Sequence, residues 1–188
     1  MKTPNTRGTR SARAILLVAL VPTAVLAAMQ IPNAPVTVVG QFSNMRFTEE
    51  HAYGYSVQLW RQGNTIFGLF EATEGLIGDT PAGLLEDVKF DPLAGKLSFK
   101  ARLSMGVALL GPGKQVRSRD LFEFQGTLGK TTLVGTLKRS DMLQPKVPPQ
   151  VRQIRLRKRP TDLMTQPASY AEWKRSIEEI LKFRGPKW

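Results

Sequence analysis

The sequence predicts a mainly β protein: an antiparallel, up-and-down barrel of eight strands followed by one C-terminal amphipathic α-helix. Three observations predict it. Between residues 35 and 159 apolar side chains recur at every second position, the period of a strand with one buried face. Glycine-bearing turns separate these runs at short intervals, so successive strands pair as hairpins. After Arg159 the apolar period changes to that of a helix.

Before the first strand lies a segment with the layout of a secretory signal peptide. Lys2, Arg7, Arg10 and Arg13 form a positive stretch without a carboxylate, and an apolar run over residues 14–28 ends in small residues. Cleavage near Ala27 or Ala28 is expected, placing the protein outside the cytoplasm, periplasmic or secreted by the general export route. An uncleaved N-terminal membrane anchor is the alternative. A spanning helix needs about 20 apolar residues, however, and Pro22 and Thr23 interrupt this run. The division is therefore a signal over residues 1–28, a barrel over 29–160 and a basic C-terminal segment over 161–188. The chain has no cysteine. That removes disulfides, thiolate metal sites, cysteine nucleophiles and lipid attachment together.

Eight strands are expected at about 36–42, 52–61, 65–72, 84–90, 96–104, 119–128, 131–139 and 150–158. The pattern is clearest over residues 96–103, where Leu97, Phe99, Ala101 and Leu103 share one face and Lys96, Ser98, Lys100 and Arg102 the other. Phe122, Phe124, Gly126 and Leu128 repeat it, as do Leu133, Gly135 and Leu137, and Tyr53, Tyr55, Val57 and Leu59. Turns at Gly63-Asn64, Asp91 to Gly95 and Gly129-Lys130 close hairpins. Eight strands suffice to close around side chains or one small ligand, and closure removes exposed edges.

The helix is expected over about 169–184. Ser169 and Glu172 have capping-box spacing. Tyr170, Trp173, Ile177, Ile180 and Leu181 make an apolar stripe, and Gly185-Pro186 stops the helix.

Charge is unevenly spread. The net +12 includes four cations in the first 28 residues. Residues 29–145 carry 12 basic and 11 acidic residues, whereas 146–188 carry 11 basic and 4 acidic. A local positive field of this kind favours anionic partners. For an exported chain these are an anionic lipid or glycan of the envelope, with membrane contact only peripheral. Specific nucleic-acid binding is not expected, because the aromatics lie on the predicted core face.

Catalytic chemistry is sparse. His51 is the only histidine, so no multi-histidine metal site is possible and no cofactor is implied. Carboxylates gather at Glu71, Glu74, Asp79, Glu86, Asp87 and Asp91. A hydrolase with Asp79 facing Glu71 or Glu86 is one alternative, although adjacent Glu86 and Asp87 should point to opposite faces. The sharpest feature is the last strand. Arg155, Arg157 and Arg159 form one row, while Arg152, Ile154, Leu156 and Lys158 share the other face. Alternate arginines present guanidinium forks suited to phosphate or carboxylate.

The order of parts over residues 36–181 resembles the lipocalins and, more loosely, the avidin-like barrels. Gly40-Gln41-Phe42 stands where lipocalins usually carry Gly-x-Trp, with phenylalanine replacing tryptophan. The resemblance implies a calyx for a small apolar ligand. Its interior would be lined by Tyr53, Tyr55, Val57, Phe99, Phe122 and Phe124, unless side chains fill it. The expectation is an exported, non-catalytic binding protein. A structural or assembly protein docking on a partner through Tyr170, Trp173 and Ile177 is the other alternative.

Overall fold

The computed structural model describes residues 34–76, 80–162 and 164–188. The signal-like segment, Asp79 and Leu163 lie outside the described residues. Twelve strands and one helix are found among the rest. They are β1 (Val36–Ser43), β2 (Arg46–Phe47), β3 (His51–Gln62), β4 (Thr65–Leu76), β5 (Ala82–Leu84) and β6 (Glu86–Asp91). Then follow β7 (Lys96–Leu103), β8 (Val107–Leu109), β9 (Gln115–Arg117), β10 (Asp120–Leu128), β11 (Thr132–Asp141), β12 (Gln150–Arg159) and α1 (Tyr170–Arg184).

The main sheet is antiparallel and ordered β5-β4-β3-β1-β12-β11-β10-β7-β6, with β2 added beside β3. Apart from β2, the β8–β9 pair and the break between β5 and β6, chain neighbours are sheet neighbours, which is a meander. The first and last strands join, Ser43 opposite Arg157 and Gln41 opposite Arg159. The remaining seam is bridged by the β5–β6 segment, which pairs with β4 on one side and β7 on the other. At the break the Leu85 amide donates to the Gly68 carbonyl at 3.0 Å. Gly83 lies directly against the Arg102 carbonyl, where a side chain would collide. The sheet is a nearly closed barrel.

The strand count corrects the expected eight. The run expected at 84–90 is two strands because the chain changes partner at Leu85. β2, β8 and β9 add short pairs outside the meander. A bulge between Glu86 and Lys89, with Asp87 at φ +49°, also breaks the alternation expected there. Glu86 and Asp87 therefore point the same way, to Arg102 (3.1 Å) and Lys100 (2.8 Å) on one face of β7.

Helix α1 begins as its sequence foretells. The Ser169 hydroxyl accepts from the Glu172 amide at 3.2 Å, but the Glu172 carboxylate accepts from Ala168 rather than Ser169. Trp173 and Ile177 are buried among Val36, Trp60, Phe67, Leu69 and Ala82 on the outer wall. The Trp173 ring lies 4.7 Å from that of Phe67 and 5.5 Å from that of Trp60. Arg184 then reaches Glu71 (2.6 Å) and the Thr80 carbonyl (2.7 Å). The Trp188 indole donates to the Leu103 carbonyl at 3.1 Å. The C-terminal segment is thus a strap across the barrel wall.

Candidate functional site

The barrel interior is filled. Phe42, Val57, Leu59, Phe70, Phe99, Phe122, Phe124, Leu133 and Leu156 point inward and are each at most 2% exposed. A hollow large enough for a small ligand would leave exposed area on the side chains lining it. Here the rings pack on one another instead. Phe99 lies 5.0 Å from Phe124, and Phe70 lies 5.1 Å from Phe122.

Five of the six expected interior residues, Tyr55, Val57, Phe99, Phe122 and Phe124, belong to this core. Tyr53 does not. It is 49% exposed at the start of β3, stacked on His51 and paired with Arg46 of short β2. Strand alternation gives Tyr53 the parity of Tyr55 but places it beyond the end of the core.

Cations cap both ends of the interior. At one end Asp120 is buried and accepts from Arg139 Nε (2.9 Å), the Ser118 hydroxyl (2.6 Å) and the Met105 amide (3.1 Å). Arg139 also pairs with Glu74 at 2.9 Å, and Arg152 reaches the same carboxylate at 3.3 Å. Burial alone would lower the Arg139 pKa, but the charges and hydrogen bonds of Asp120 and Glu74 together raise it. Burial raises the Tyr55 phenol, opposed by the positive charge of Arg152. At the other end Lys158 Nζ donates to the Val39 carbonyl at 2.9 Å and lies over the Phe42 ring. The inward face of β12 therefore runs cation, apolar, apolar, cation. The network went unread in the sequence, although Asp120 and Arg152 already had inward parity with Phe122 and Ile154.

The outward face of β12 is different. Arg155, Arg157 and Arg159 are exposed, and among the described residues none forms an ion pair. Their cross-strand neighbours are uncharged: Val134 and Thr132 on β11, Ser43 and Gln41 on β1. Alternate residues on a strand lie about 6.6–6.8 Å apart, so the row runs for about 13 Å. Beyond Val134, a surface concavity of about 650 Å³ opens between β6 and β12, lined in part by Ser98, Gln125, Thr136 and Lys138.

Two of the three residues expected to dock a partner are buried against the barrel wall. Trp173 and Ile177 pack on the barrel, while Tyr170 and Ile180 remain partly exposed. Of the carboxylates expected of a hydrolase, Asp79 lies outside the described residues and the other two form ion pairs. Glu71 pairs with Arg184 and Glu86 with Arg102. Among the described residues no group of three potential metal-ligating side chains converges, and no helix is long and apolar enough to cross a membrane.

Comparison with protein-family models, with curated proteins and with solved structures finds no match to this chain.

Proposed function

We propose that this is an exported, non-catalytic binding protein that takes an anionic envelope component on the outward arginines of β12. The observation that carries this reading is the run of Arg155, Arg157 and Arg159 with no carboxylate opposite it on β1 or β11. Three like charges in a row repel, and no ion pair among the described residues offsets them. An anionic partner does. Planar guanidinium forks bind phosphate, sulfate or carboxylate in pairs of parallel hydrogen bonds. The filled interior supports the wall over a calyx as the binding surface. The layout of residues 1–28 supports export, which brings anionic glycans and lipid head groups within reach.

The test is a triple variant, Arg155→Ser, Arg157→Ser and Arg159→Ser, titrated against lipopolysaccharide and a soluble sulfated glycan at several salt concentrations. At about 0.5–1 kcal/mol for each exposed charge pair, binding should weaken about ten- to a hundredfold and lose most of its salt dependence. Unchanged affinity and unchanged salt dependence would remove the arginine row from the function.

A further inference from the structure

We infer that the end of the barrel bearing the β8–β9 hairpin docks on an anionic lipid bilayer, with Val107, Leu109 and Leu110 entering the interface. This inference is independent of the arginine row on β12.

In an antiparallel meander, alternate connections lie at alternate ends. One end therefore holds the tight turns at Gly63-Asn64, 92–95 and 129–131. The other holds the long connections, among them 104–119 and 142–149. These two lie side by side, since the Met142 amide donates to the Arg119 carbonyl at 2.8 Å. Their composition is one-sided. Residues 104–119 contain Lys114, Arg117 and Arg119, residues 142–149 contain Lys146, and neither stretch has a carboxylate. None of the four cations forms an ion pair among the described residues.

Apolar side chains stand exposed among these cations. Val107, Leu109, Leu110, Met142 and Val147 all face solvent, Leu109 at 66%. β8 and β9 pair only with each other, so the hairpin stands apart from the main sheet. Val107 lies opposite Arg117 and Leu109 opposite Gln115, which puts apolar and polar side chains on one face of the ribbon.

The base of the hairpin is held firmly. The Gly106 amide donates to the Ser118 hydroxyl (3.1 Å), and Ser118 donates in turn to buried Asp120. An apolar tip on an anchored base, with unpaired cations beside it, matches an anionic membrane surface. The leucines reach the acyl boundary while lysine and arginine stay at the head groups.

The test uses the chain from Met29 to Trp188, which contains every strand and the strap, floated with vesicles of phosphatidylcholine alone or mixed with phosphatidylglycerol. The protein should float with the anionic vesicles and much less with the neutral ones. Leu109→Asp with Leu110→Asp should cut partitioning at least tenfold. Lys114→Ser with Arg117→Ser should weaken binding to the anionic vesicles alone, and the triple β12 variant should float as the parent does.

Failure of the parent to float, or flotation unchanged by the aspartates, would overturn the inference. Association of two copies through the tip in place of vesicle binding would overturn it equally. Loss of flotation in the β12 variant with none in the hairpin variants would move the membrane contact to the wall. That outcome would sink this inference and leave the arginine reading standing.

Discussion

Gly126 and Gly135 stand opposite each other across β10 and β11, and the ring of Phe124 lies over both. A Cβ on Gly126 would come 2.6 Å from Phe124 Cζ, and one on Gly135 would come 2.8 Å from it. The missing side chains make room for the ring. An added methyl group would run into the Val134 carbonyl as well as the Phe124 ring, so Gly126→Ala should destabilise the fold by about 1–3 kcal/mol. Chemical denaturation of the variant checks this, and a midpoint equal to that of the parent would contradict it.

Removing the ring has the opposite geometry. Phe124→Ala should cost about 3–5 kcal/mol and leave an apolar cavity between the glycines and Phe99. Such a cavity should bind benzene, as apolar engineered cavities do. Benzene should raise the melting temperature of the variant and not that of the parent. An unresponsive variant would mean that the core collapses into the gap.

The strap should matter to stability as much as the barrel does. Trp173 is 2% exposed against Phe67 and Trp60, whereas Tyr170 is 43% exposed. Trp173→Ala should therefore cost about 3–5 kcal/mol and Tyr170→Ala well under half of that. Equal effects would show that the helix is held by something other than its buried stripe.

Asp120 is 4% exposed at its side chain and Arg139 23%, so their ion pair is largely out of water. Breaking it with Asp120→Ala should cost about 3–5 kcal/mol, because a mostly buried guanidinium loses its main partner. The same change frees the Met105 amide and Ser118, so hydrogen exchange should quicken at the base of the hairpin before it does elsewhere. Uniform exchange rates would argue against Asp120 as its anchor.

Alkaline pH should act through Tyr55. Burial lifts its pKa above the ordinary 10.0, with Arg152 opposing. A raised folded value means that the unfolded chain loses the proton first. The stabilisation is complete below pH 10.0 and is lost as pH rises through the raised folded value. Between about pH 9 and about pH 11 the urea midpoint should fall more steeply for the parent than for Tyr55→Phe. Parallel slopes would exclude Tyr55 as the source.

Much of this was legible along the chain. The faces of β7, β10 and β11 followed from apolar parity, and the helix start followed from Ser169 and Glu172. Parity nevertheless names a face and not a depth. Tyr53 and Tyr55 share a face, yet Tyr53 lies outside the core because its strand outruns the barrel. Parity also fails at a bulge, which is why Glu86 and Asp87 point the same way.

By itself the sequence determined the elements that depend on near neighbours. These are the strand period, the turn glycines, the cap of α1 and the gathering of positive charge after Pro145. Only the tertiary structure decided that rings fill the barrel, that β1 seals against β12 and that Trp173 is spent on the wall. It also decided that Arg139 and Asp120 close one end of the core. Each of these is a contact between residues far apart in the chain, and each depends on how side-chain volumes share one enclosed space. Local patterning reports which way a side chain faces, while packing decides what it meets there.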